Sequence, residues 1–174
     1  VLRGKGTAFS AGVDLKEMRS KMTYVQQLKL DDGVSSIENN KTAIQYSDTL
    51  THMLYHIYAC SKPIVAVSQG PAVGLGTTLI TLADQAIAIE YPECEMIDGK
   101  PARPVTFGYP EGKFNMCPHI SGPFALLRLG VELFSQLIQS EKTIKITTKS
   151  ANSTPFDKVT TPQEADATLS KTLE

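Results

Sequence analysis

Two short runs of small residues are where this sequence most readily builds chemistry. Phe9-Ser10-Ala11-Gly12-Val13-Asp14 and Gly70-Pro71-Ala72-Val73-Gly74-Leu75-Gly76 each lead from a strand-like stretch into a helical one. The first turn of a helix leaves backbone N–H groups unpaired, and small side chains let a ligand oxygen approach them. Taken singly, Gly-rich turns of this kind are mostly structural. Neither is a phosphate loop, since no Gly-Lys-Ser/Thr follows, and neither completes a G-x-G-x-x-G dinucleotide pattern after a strand. His52 and His56 stand four apart on a helical stretch, as zinc ligands can. Met53, Leu54 and Tyr55 between them supply no carboxylate, so ordinary helix positions are the simpler reading. Cys60, Cys94 and Cys117 show no C-x-x-C spacing, which suits packing roles in a reducing compartment.

The elements that must hold these loops are short. Val1-Leu2 reads as the end of a strand running into the turn Arg3-Gly4-Lys5-Gly6. Asp14 is placed to cap a helix over Leu15 to Lys21, with Glu17 as its capping-box partner. Thr23 to Lys41 is polar and weakly periodic, and reads as a mobile connection. Leu50, Met53, Leu54, Ile57 and Tyr58 recur at helical spacing and predict an amphipathic helix ending near Cys60, ahead of Pro63. Ile64 to Val67 is a fully apolar strand of the buried, parallel type. The second loop opens a helix over Thr77 to Ala83, and a strand follows at Gln85 to Ile89. Within the polar stretch Tyr91 to Pro104, Asp98-Gly99 predicts a hairpin turn. Val105 to Phe107 resumes the sheet, and a helix over Phe124 to Gln139 is interrupted at Gly130. The tail after Lys142 is rich in Thr, Ser and Lys, with one strand near Phe156 to Val159. Short apolar strands alternating with amphipathic helices mean α/β, with a parallel sheet and right-handed crossovers.

Composition narrows the function classes. The 174 residues are enough for one core, with 41% hydrophobic and 20% charged residues and a net charge of −1. This charge balance offers no surface for nucleic acid or anionic lipid. Lys142, Lys145 and Lys149 read as a solvated face. The most apolar region, Ile64 to Ile89, is broken by Ser68, Gln69, Gly70, Pro71 and Asp84, so it cannot span a bilayer. The chain opens without Met, a basic region or an apolar run, which reads as a missing N-terminus rather than as an address.

In this order, the two loops carry a resemblance. RGKGTAFSAGVDLKEM at Arg3 to Met18 resembles the first signature of the crotonase (enoyl-CoA hydratase/isomerase) family. KPIVAVSQGPAVGLGTTLITLADQAIA at Lys62 to Ala88 is similar to its second, and FGYPEGKF at Phe107 to Phe114 to its third. The GPAVGLG form is closer to the Δ3,Δ2-enoyl-CoA isomerase branch, and a weaker likeness runs through LLRLG to PFDKVTTPQEADATL. The resemblance implies a crotonase-like α/β fold, a parallel sheet of ββα units with flanking helices. It implies one such domain over residues 1–174, without the family's first strand–helix unit and its C-terminal trimerisation helices. Against the family pattern, Tyr91 to Pro104 looks like an insertion of about a dozen residues, a length at which loops are often functional. It is expected to lie beside the acyl pocket or a subunit interface.

The implied site is an oxyanion hole. Its donors fall on the N–H groups of Val13 and Leu75, and one such donor can lower a barrier by about 3–4 kcal/mol. Ala8, Ala11, Gly12, Asp14 and Gly74 would line the thioester and pantetheine, and Lys16 is a candidate for the CoA phosphates. Hydratases of the family use two glutamates; the first position is here Thr78, and the second is Glu111. One carboxylate can take a proton from C2 and return it at C4, so isomerisation of a 3-enoyl-CoA survives where hydration is disfavoured. His119, after Pro118, occupies the place of the base in another isomerase subgroup. Hydration, other acyl-CoA enolate or thioester chemistry, and a silent CoA-ester binder are the alternatives. No metal or redox cofactor is implied, CoA being part of the substrate. The expected partners are an acyl-CoA and copies of the chain, as a homotrimer or dimer of trimers, in a mitochondrial or peroxisomal matrix or a bacterial cytoplasm.

Overall fold

The computed structural model describes residues 1–18, 20, 35–92, 94–114, 122–140, 142–147 and 154–173. It divides into two compact units, one of Val1–Gly12 with Cys60–Glu174 and the other of Val13–Ala59.

The first unit is built on the apolar strands. β1 (Leu2–Arg3), β2 (Val65–Ser68), β4 (Gln85–Ile89) and β9 (Lys158–Thr160) form a parallel sheet in the order β1-β2-β4-β9. A second sheet sets β3 (Ala72–Val73) parallel to β7 (Thr106–Gly108), with β8 (Ile144–Lys145) antiparallel on its other side. β5 (Met96–Ile97) and β6 (Lys100–Pro101) form a hairpin. Its turn residues Asp98 and Gly99 both have positive φ, the geometry a two-residue hairpin turn requires.

Side-chain alternation along β2 and β4 explains the layers. Ala66, Ala86 and Ala88 face one side and join Ile80, Phe107, Tyr109, Ala125, Leu137 and Phe156 in the main core. Their small size lets α2 (Leu75–Leu82) and α3 (Gly122–Ser140) cover that face. Val65, Val67, Ile87 and Ile89 face the other way, onto Ala165 and Leu169 of α4 (Pro162–Leu173). A strand apolar on both faces needs two covering layers, and α4 is the second.

The structure adds elements that the residue pattern did not mark: β3 inside the second loop, β8, and α4 in the polar tail. α4 carries a start signal in Thr161-Pro162-Gln163-Glu164. Glu164 Oε2 accepts the Thr160 hydroxyl at 3.0 Å and the Thr161 N–H at 3.5 Å. Gly130 interrupts α3 as expected, at φ 75° and ψ 165°. Arg128 on that helix ties three segments together, donating to Ala83 O, Pro155 O and Asp157.

The second unit holds a helical turn at residues 15–18 and the 24-residue helix α1 (Ser35–Tyr58). Asp14 caps the turn as expected, its Oδ1 accepting the N–H of Lys16 at 2.8 Å and of Glu17 at 3.0 Å. The expectation of a mobile connection through Thr23 to Lys41 is corrected for residues 35–41, which open α1. Their polarity hid the helix because periodicity marks only a segment that buries a stripe. Among the described residues, no helix is long and apolar enough to cross a membrane.

Candidate active site

The two small-residue loops are laid directly against each other. Phe9 and Ser10 donate their N–H groups to Pro71 O at 2.9 and 3.2 Å, and Val73 N–H donates to Ser10 O at 3.0 Å. The contact leaves no space for side chains. A Cβ on Gly70 would lie 2.1 Å from Thr7 O, and one on Gly76 would lie 2.5 Å from Ser10 O. Gln69, 2% exposed at the end of β2, holds the first loop from beneath. Its Nε2 donates to Gly4 O, Gly6 O and Ala8 O at 2.7, 3.1 and 2.9 Å, two protons shared among three carbonyls.

The second loop turns into α2 at Gly74, whose φ of 57° suits glycine. Gly74 N–H donates to Gly108 O at 2.9 Å, which ties the turn to β7. Thr77, fully buried, reinforces that tie: its hydroxyl accepts Gly108 N–H at 3.0 Å and lies 2.9 Å from Ala72 O. Leu75 is the first residue of α2, so its N–H is one of the helix's orphan donors, with no acceptor recorded among the described residues. Gly12, at φ 87°, faces this point: a Cβ there would lie 3.3 Å from Leu75 N.

Glu111 reaches the same turn from the short 3-10 helix Pro110–Phe114 that follows β7. A Cβ on Gly74 would lie 2.8 Å from Glu111 Oε1, so the carboxylate sits over the start of α2. Its other oxygen, Oε2, is buried without a hydrogen-bond partner among the described residues. Burial pushes the Glu111 carboxyl above the ordinary carboxylate range, and a backbone hydrogen bond only partly offsets that. Thr78, one turn into α2 and fully buried, directs its hydroxyl to Gly74 O at 3.3 Å.

The structure thus brings Ala8, Gly12, Gly74, Leu75 and Glu111 into one region of the first unit, with Ala11 exposed at its edge. Val13, Asp14 and Lys16 lie in the second unit, where Asp14 acts as the helix cap already described. His119 lies outside the described residues. Within the stretch expected to lie beside the acyl pocket, β5 and β6 form a hairpin with its tip near the first loop, where a Cβ on Gly6 would lie 3.9 Å from Asp98 Oδ2. Its base, with Tyr91, Arg103, Lys145 and Ile146, lines an open cavity of about 200 Å³.

Residue reasoning missed Gln69 and Tyr109. Gln69 had a readable signal, a large amide following an apolar strand directly before Gly70-Pro71. Tyr109 is 1% exposed, with its ring edge-on to Phe134 at 6.0 Å and its hydroxyl toward Thr78 and Thr81 of α2.

The architecture is the crotonase fold. An enoyl-CoA hydratase/isomerase of Marinobacter aquaeolei superposes with a TM-score of 0.72 at 23% identity, over 98% of this chain and 56% of that one. An enoyl-CoA hydratase/isomerase (crotonase) of Legionella pneumophila gives 0.69 at 22% identity, over 96% and 54%. In sequence the chain is similar to members of the enoyl-CoA hydratase/isomerase family. It is 28% identical over 145 residues to a 2,3-dehydroadipyl-CoA hydratase of Escherichia coli, covering 83% of this chain and 44% of that protein. It is 31% identical over 84 residues to a mitochondrial Δ(3,5)-Δ(2,4)-dienoyl-CoA isomerase of Dictyostelium discoideum, covering 48% and 27%. The chain therefore spans less than half the length of these curated relatives. No family model matches it.

Proposed function

We propose that the chain carries the acyl-CoA site of an enoyl-CoA hydratase/isomerase, with isomerisation of a 3-enoyl-CoA to a 2-enoyl-CoA as its reaction. The observation that carries this reading is the Glu111 carboxylate over the Gly74–Leu75 turn. A base and an orphan N–H donor then serve one thioester. Glu111 takes the C2 proton, and the electron pair moves through the carbonyl onto oxygen, forming a dienolate. The N–H of Leu75 holds that oxygen. Glu111 returns the proton at C4 and the double bond comes to rest between C2 and C3, with no atom gained or lost. Thr78 offers no second carboxylate for activating water, which favours isomerisation. The name of the Escherichia coli relative keeps hydration as the second reading.

Glu111→Gln keeps the size of the side chain and removes the base. Turnover of a 3-enoyl-CoA should fall by about 10²–10⁴-fold, with acyl-CoA affinity nearly unchanged. The raised carboxyl sets a pH dependence as well. The base must be ionised, so kcat/KM should fall as pH drops through a limb above the ordinary carboxylate range. Retention of most activity in Glu111→Gln, together with its loss in His119→Ala, would move the base to His119. Release of 3-hydroxyacyl-CoA from a 2-enoyl-CoA would establish hydration instead. Binding without turnover of either substrate would leave a CoA-ester binder.

A further inference from the structure

The upstream half of the first loop depends on one side chain. The carbonyl oxygens of Gly4, Gly6 and Ala8 converge on Gln69 Nε2, at 2.7, 3.1 and 2.9 Å. The loop is folded so tightly there that a Cβ on Gly4 would lie 2.3 Å from Ala8 O. Gln69 follows directly on β2, which is paired on both sides by β1 and β4. Its own Oε1 is buried without a hydrogen-bond partner among the described residues. Native folds rarely leave such an acceptor idle, and each one asks for an explanation. Here the reverse orientation of the amide is closed, because it would set Oε1 against three carbonyl oxygens. The amide is committed wholly to donating, and its unused acceptor is the consequence.

The downstream half is held by other means. Phe9 and Ser10 N–H donate to Pro71 O, Val73 N–H donates to Ser10 O, and Gly12 N–H donates to Ser10 Oγ at 3.2 Å. Those bonds fix the end of the loop that faces Leu75 N, and Gln69 takes no part in them. One loop therefore has two separately anchored ends. We propose that Gln69 is a positioning residue for the long arm of an acyl-CoA, acting through the carbonyls of Gly4, Gly6 and Ala8, and that it leaves the reacting thioester alone. This rests on the acyl-CoA reading, in which the thioester oxygen sits at Leu75. An arm leaving that turn along the first loop passes Ala8 and reaches the segment that Gln69 holds.

One 3-enoyl group, carried on CoA and on N-acetylcysteamine, separates the two ends, since the short thioester keeps the reacting carbonyl and lacks most of the arm. Gln69→Leu keeps the bulk of the side chain and removes its donors. The ratio of kcat/KM on the CoA ester to kcat/KM on the short ester should fall by about tenfold, through KM with kcat held. Both substrates read the same preparation, so any loss of folded protein cancels in the ratio. Gln69→Glu has the same size and, when ionised, offers no proton to the three carbonyls. It should lower the ratio at least as far, and it serves as the test if Gln69→Leu folds poorly. Calorimetric titration with free CoA reads the arm without turnover, and its Kd should rise by the same factor. An unchanged ratio overturns the inference, whether the two esters keep their rates or lose them together, and so does an unchanged Kd. Wild-type protein that binds no CoA and turns over neither ester would instead remove the acyl-CoA reading, and this inference with it.

Discussion

Gly70–Gly76 is framed by its own secondary structure: β2 enters it, β3 runs through it and α2 leaves it. Arg3–Gly12 has only β1 behind it, and the rest is held by bonds to the other loop. Pro71 O takes two of its N–H groups, and Gln69 Nε2 takes three of its carbonyls. One loop is a scaffold and the other is laid on it. The residues that place the first loop are therefore some sixty positions further along the chain, as the separation of Gln69 from Gly4 and Ala8 records (65 and 61 residues).

Substitutions can break that comparison at its strongest point first. Gly70→Ala would drive a Cβ to 2.1 Å from Thr7 O, backbone against backbone with nothing to yield. A loss of about 3 kcal/mol or more in urea unfolding is expected, since overpacking a rigid contact costs at least that when neighbours cannot shift. An unchanged midpoint would mean that the loops are not in contact. Gln69→Leu comes next, leaving the carbonyls of Gly4, Gly6 and Ala8 without their donor, at about 2–3 kcal/mol. Its signature is regional: hydrogen exchange should quicken across residues 4–10 while the amides of β2 and β4 keep their protection. Loss spread evenly over both loops would make them a single unit rather than scaffold and graft. Gly99→Ala is the smallest and serves as the control. At φ 73° with no atom within 4 Å of the new Cβ, it costs only backbone strain, about 1 kcal/mol, and should leave acyl-CoA binding alone.

Much of this was readable in the residues because it is local. The strand at Gln85–Ile89, the break at Gly130, the Asp98-Gly99 turn and the Asp14 cap all follow from nearest-neighbour chemistry. β3 did not show, since two residues within a Gly-rich loop carry no alternation. α4 went unread because its tail is polar, although the Val and Ile faces of β2 and β4 already required a cover. Of the candidate site, the motifs made legible which residues to look at, and the structure sets Gly74 beside Glu111 and Gly12 beside Leu75. The surroundings of Tyr109 and Gln69 were not, because their contacts lie about 30 and 60 residues away, which no local pattern encodes.

The parallel sheet has a further consequence, for how the molecule is made. Its spatial order, β1-β2-β4-β9, repeats the order of the chain. A polypeptide emerging from the ribosome can therefore lay each strand against the edge just completed, with no earlier pair reopened to admit a later one. Each addition closes one gap and presents the next. Lys158–Thr160 joins at the edge of β4, fastened by Asp157, which takes the Ala86 N–H and the Arg128 guanidinium together.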